Sequence, residues 1–173
     1  MLLPILIHPD PRLKKICDPV DDISDELRKL AEDMLATMYD APGIGLAAPQ
    51  VGVNQRLVVL DCAKDEEEET SRPLIMFNPE VLAASDETNV HDEGCLSIPE
   101  QFAEVTRPKV IDVRWIDENG KEQTETFDGL WATCVQHEID HLEGKLFIDY
   151  LGPMKRQMIT RKMQKLKREK ARG

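Results

Sequence analysis

The five residues His137-Glu138-Ile139-Asp140-His141 carry the strongest chemical signal in the chain. On a helix, positions four apart project from one face. Two imidazoles so placed can grip one divalent metal, and Glu138 then lies beside the ion without ligating it, ready to take a proton from bound water. The plain alternative is a surface helix with two solvated histidines. Half of the four histidines fall in this pattern, inside a segment of helical character, and this favours the metal. Catalytic sites of this kind use three protein ligands and keep one position open. A third histidine three residues beyond Gly144 would complete one such set, but that position is Phe147, and Glu143 and Glu169 are poorly placed. The thiols are better candidates. Cys134 lies three residues before His137 and can share its face. Cys95 sits in Glu93-Gly94-Cys95-Leu96-Ser97, a glycine-containing turn where a side chain and adjacent N–H groups can point at one centre. Spacing alone does not separate the two cysteines.

A third segment is Gly43-Ile44-Gly45-Leu46-Ala47-Ala48-Pro49-Gln50, whose small residues permit close approach of backbone to a ligand. The Gln50 amide is its only side-chain hydrogen-bonding group. Taken by itself, the stretch reads as a tight loop with packed alanines.

These segments need a scaffold. Leu27, Leu30, Ala31, Met34, Leu35 and Met38 follow helical spacing behind Ser24, Asp25 and Glu26, which predicts a helix over 24–40 ended by Ala41-Pro42-Gly43. Residues 56–62 read as a strand, and 73–84 as a strand and turn around Asn78-Pro79. In 109–117, Ile111, Val113 and Trp115 share one face. Asn119-Gly120 predicts a hairpin returning through 121–127. Helical character resumes over 129–143 and ends at Gly144. A last helix over 153–170 follows Pro153, with Met158, Ile159, Met163 and Leu166 as a modest apolar stripe. Strands followed by helices predict an α+β fold, with mostly antiparallel sheets around a central metal-binding helix and a C-terminal helix.

The 173 residues suit one domain, here 1–150, with an appendage over 151–173. With 41% hydrophobic and 32% charged residues the composition is globular rather than disordered. The apolar runs are far shorter than the roughly 20 residues of a spanning helix, and nothing resembles a signal peptide, so a cytoplasmic protein is expected. Four cysteines without a C-x-x-C pair argue against a disulfide framework. The net charge of −11 is uneven: residues 151–173 carry nine Lys or Arg against Glu169, a net +8, which leaves −19 on residues 1–150. A basic tail on an acidic body suits a polyanion. Lys64 to Arg72, with four consecutive Glu, reads as a hydrated loop without an assigned role.

Together the three segments resemble the peptide deformylases. The family's Gly-Φ-Gly-Φ-Ala-Ala-x-Gln, Glu-Gly-Cys-Φ-Ser and His-Glu-x-x-His motifs are matched by Gly43 to Gln50, Glu93 to Ser97 and His137 to His141, in order and without departure at a functional position. Ile7 to Leu13 and Asp140 to Gly144 also look like this family. The resemblance implies that Cys95, His137 and His141 bind the metal, which leaves Cys134 as a neighbour lining the substrate pocket with Leu130 and Ile44. It implies hydrolysis of the N-formyl group from the starting methionine of nascent polypeptides, giving formate and a free amine. Glu138 would be the general base and acid, with the Gln50 amide and the Leu96 backbone N–H donating to the oxyanion. The Gly45 backbone would hydrogen-bond the substrate chain. One divalent ion is implied, iron(II) first, with Zn2+, Ni2+ or Co2+ also accommodated in preparations; the ligand set by itself is compatible with zinc. The C-terminal helix is expected to dock on the ribosome, and neither a membrane nor DNA is expected as a partner. Two other readings use the same residues. A zinc endopeptidase would need a downstream third ligand. An RNA-binding protein with a structural zinc would need a fourth, for which Cys134 or Cys62 would serve.

Overall fold

Ser24 begins the first helix as the spacing requires: its hydroxyl accepts from the Leu27 N–H at 3.2 Å, and α1 runs Asp25–Asp40 with Ala31, Met34, Thr37 and Met38 buried. The computed structural model describes residues 1–63 and 71–172; most of the acidic stretch 64–72 lies outside the described residues. β1 (Gly45–Ala47) and β2 (Leu57–Leu60) follow. All four residues of β2 are buried because both of its faces are covered: Leu57 and Val59 pack with α1, and Val58 and Leu60 with the next helix.

β3 spans Leu74–Ala84 without the expected turn. Asn78 instead adopts φ +50° inside the strand, at a shift of register between Phe77 and Glu80. Asparagine tolerates that left-handed conformation, and a bulge absorbs it. Both ends of its amide clamp Val20, accepting from the N–H at 2.8 Å and donating to the carbonyl at 2.7 Å. β4 (Thr88–Cys95) and β5 (Ile98–Pro108) form a two-stranded sheet that the sequence reading did not foresee. β6 (Val110–Ile116) and β7 (Glu122–Asp128) form the predicted hairpin, with Gly120 at φ +79°.

The larger sheet has the order β1-β2-β3-β6-β7, and all named strand pairs are antiparallel. Against it lies α2 (Gly129–Leu142), whose Ala132, Val135 and Leu142 join Met76, Ile111, Val113, Trp115 and Phe127 in one apolar cluster. This is the expected α+β architecture around a central helix. α3 (Pro153–Arg172) docks through Ile159 and Met163 onto Ile98, Val105 and Leu146–Ile148; Met158, counted in the expected stripe, is 53% exposed instead.

Candidate metal centre

Three elements converge on one point. α2 carries His137 and His141 one turn apart, both buried. β4 ends at Cys95, beside a register shift after Glu93. The turn Ala48–Val51 behind β1 delivers Gln50. Cys95, His137 and His141 are the group among the described residues whose ligand atoms could share an ion, all within 4.8 Å of one another. His137 Nε2 and His141 Nε2 are 3.2 Å apart, and Cys95 Sγ lies 3.5 Å from His141 Nε2. A tetrahedral ion with bonds of about 2.3 Å to sulfur and 2.0–2.1 Å to nitrogen needs N–N edges of about 3.3 Å and S–N edges of about 3.5 Å. The donor set therefore fits a metal in both chemistry and spacing. Burial lowers the His137 pKa, but Cys95, Glu138 and Glu93 outweigh it and raise it well above the ordinary value: the surroundings favour a positive charge there. Burial, then the charges of His137 and Arg107, lowers that of His141 and keeps the ring neutral, as a ligand must be.

Behind the ligands lies a buried polar network. Glu93 Oε1 accepts from His137 Nδ1 at 2.9 Å, which turns Nε2 toward the site. Arg107 donates to both Glu93 oxygens at 2.6 and 2.9 Å and to Asp140 Oδ2 at 2.8 Å. The Tyr150 hydroxyl donates to the same Asp140 oxygen at 2.7 Å, and its ring lies under the guanidinium at 4.8 Å. Burial pushes the Glu93 carboxyl up, but the hydrogen bonds from Arg107 and His137 prevail and hold it at about 2.

Gln50 is oriented by backbone. Its Oε1 accepts from the Ala47 N–H at 2.9 Å, so its NH2 faces Ser97 Oγ at 3.1 Å and Cys95 Sγ at 3.4 Å. The N-terminal segment pins this arrangement, as Leu6 donates to the Gln50 carbonyl at 2.7 Å and His8 to the Ser97 carbonyl at 2.9 Å. Glu138 is 5% exposed, and its Oε1 has no hydrogen-bond partner among the described residues. Burial pushes its carboxyl up to about 7, against the pull of His137. A Cβ at position 45 would meet Glu138 Oε2 and Cδ, so any larger residue there must push that carboxylate aside.

Nine of the ten residues expected from the sequence line one cavity of about 560 Å³: Ile44, Gly45, Gln50, Leu96, Leu130 and Cys134 with Cys95, His137 and Glu138. The tenth, His141, lies behind it, its ligand nitrogen grouped with the donor atoms of Cys95 and His137. Cys134 is not among the donors. Its thiol is free and hydrogen-bonded to that of Cys62; that contact, and then burial, raises its pKa well above the usual value and disfavours the thiolate. The sequence reading missed Arg107, Tyr150 and Ser97, and it missed His91 and Thr133, which also line the cavity. The stretch 43–50, read alone as a loop, contains edge strand β1.

Three donors able to share one ion thus lie beside a buried carboxylate at the end of a largely apolar cavity. The comparisons with known proteins name a family for this arrangement. The family model described as Polypeptide deformylase matches residues 2–157, and the chain belongs to that family. A peptide deformylase of Rhizobium meliloti is 54% identical over 162 residues, covering 94% of this chain and 92% of that protein. One from Mesorhizobium japonicum is 52% identical over 170 residues, covering 98% and 96%. Among solved structures, a peptide deformylase from Legionella pneumophila superposes with a TM-score of 0.90 at 44% identity, covering 100% of this chain and 99% of that one. One from Ehrlichia chaffeensis in complex with actinonin superposes with a TM-score of 0.92 at 39% identity, covering 96% and 98%.

Proposed function

We propose that this chain is a metal-dependent peptide deformylase, hydrolysing the N-formyl amide of formylmethionyl polypeptides to formate and a free amine. The observation that carries the reading is the Glu138 carboxylate, buried beside Cys95, His137 and His141 with its Oε1 unpartnered among the described residues. Those three would hold one divalent ion. When bound, the ion supplies Lewis acidity and lowers the pKa of water. Glu138 takes the proton of the attacking water and hands it to the leaving amine. The Gln50 NH2, fixed by Ala47, and the Leu96 backbone N–H donate to the oxyanion that attack creates. The Gly45 backbone, on the free edge of β1, pairs with the substrate chain. Iron(II) is put first among the ions on the family resemblance alone, since thiolate and imidazole also suit zinc, nickel and cobalt. Chelation of anaerobically prepared protein should abolish formate release from formyl-Met-Ala, and one equivalent of iron(II) should restore it. Turnover that survives complete chelation refutes the reading, as does cleavage of an internally quenched peptide in place of deformylation.

Residues 1–150 form the catalytic part and 151–173 a ribosome-docking appendage of a cytoplasmic protein. Among the described residues no helix is long and apolar enough to cross a membrane. The docking reading is supported by the exposed basic face of α3 and by a groove of about 540 Å³ between α3 and the N-terminal segment, lined by Lys14, Arg156 and Arg161. Ile159 and Met163 belong to the core, so charge reversal is a cleaner test than truncation. Lys162→Glu, Lys165→Glu and Arg168→Glu together should cut co-sedimentation with ribosomes at low salt at least tenfold while leaving formyl-Met-Ala turnover in place. Each lost phosphate contact also removes about one unit of salt slope. Unchanged co-sedimentation overturns the docking.

A further inference from the structure

We infer that His91 selects the first side chain of the substrate by donating a hydrogen bond to its thioether sulfur; this deepens, and rests on, the deformylase reading. The scissile amide nitrogen is bonded to the first residue's Cα. That residue's side chain must therefore enter the cavity within a few bonds of Cys95 and Glu138. The walls there are not uniformly apolar. Ile44, Leu130 and Cys134 are joined by His91 from β4 and Thr133 from α2, the two elements that carry the metal donors.

Thr133 is 4% exposed, and its hydroxyl meets His91 Nδ1 at 3.0 Å. We assign the tautomer in which the Thr133 hydroxyl donates to Nδ1; the ring N–H is then on Nε2, for which the described residues offer no partner. His91 is only partly buried, so this N–H meets water in the free enzyme and is left without a partner when a substrate side chain displaces that water. A side chain that brings an acceptor relieves this, and a methionine sulfur is a weak one in an adaptable chain. Norleucine has nearly the same shape, with a methylene in place of sulfur, and is the more hydrophobic of the two. A wholly apolar wall therefore favours norleucine, whereas a wall bearing the His91 N–H favours methionine.

The test is the ratio of kcat/KM for formyl-Met-Ala to that for formyl-norleucyl-Ala, measured on metal-loaded enzyme. One net hydrogen bond predicts a ratio of roughly two to ten in the parent chain. His91→Ile should bring it to one or below, with the norleucine substrate gaining as the methionine substrate loses. Thr133→Val, close in shape and leaving the ring in place but unheld, should lower the ratio by a smaller factor, and it serves should the first variant fold poorly. A parent ratio at or below one overturns the inference, as does a ratio unmoved in the variants, even with formate released from both peptides. Release from neither peptide overturns the deformylase reading and this inference with it.

Discussion

Glu138→Gln is expected to lower kcat by roughly 10²–10⁴-fold while metal content and fold stay as they are. The amide has nearly the same shape as the carboxylate, so the space bounded by Gly45 and His137 stays filled. What disappears is the base. The parent carboxylate has one oxygen about 4.0 Å from His137 Nε2 and the other without a hydrogen-bond partner among the described residues, so packing and a loose attraction to His137 hold it, and one oxygen is free for a proton in transit. Leaving a buried acceptor unpaired is costly, and native structures keep few such groups without a reason. Thermal stability should therefore hold or rise in the variant, because a buried ionisable group is replaced by a neutral one. KM should change little, since the lost interaction is made in the transition state. Formate release and metal content measured on one sample decide the matter. A variant retaining more than about a tenth of parental kcat would remove Glu138 from the chemistry.

How much of this was legible depended on whether local sequence fixed the contact. His137 and His141 are joined by helical spacing, so their meeting could be read directly. So could α1 from its Ser24 cap and the β6–β7 hairpin from Asn119-Gly120. Cys95 could not be separated from Cys134 by spacing, because the choice is made by β4 packing across α2 from more than 40 positions away. The family resemblance named Cys95, and the donor distances agree with it. The β4–β5 hairpin was missed for a physical reason. Its paired segments carry Asp92 and Glu104 opposite each other, and Glu93 and Arg107 are buried where a strand pattern calls for apolar residues. Charge concealed by pairing looks in sequence like charge exposed to water. Asn78-Pro79 misled in the opposite direction. The residues suit a turn, but a clamp on Val20, 58 positions away, turns the kink into a bulge within one long strand.

That concealed charge makes Arg107→Met the variant with the largest expected effect on stability. Arg107 and Glu93 have side chains only 4% exposed each, joined by two hydrogen bonds. Such a pair adds little over an apolar one of equal volume, but removing one partner leaves the other charge buried alone, at a cost of about 3–5 kcal/mol. In a domain of this size each kcal/mol moves the melting temperature by about 2–4 °C, so a loss on the order of 10 °C is expected in the unfolding transition. A second effect reaches the metal. Glu93 is the acceptor that fixes His137 Nδ1, and once the guanidinium is gone, burial drives Glu93 toward its protonated form and weakens that bond. Loss of such an outer partner lowers metal affinity about 10–100-fold. The double variant Arg107→Met with Glu93→Gln separates the two effects: removing the stranded charge should recover much of the stability, whereas the metal affinity should stay low. A single variant with parental melting temperature and parental metal affinity would show that the pair neither supports the core nor positions His137.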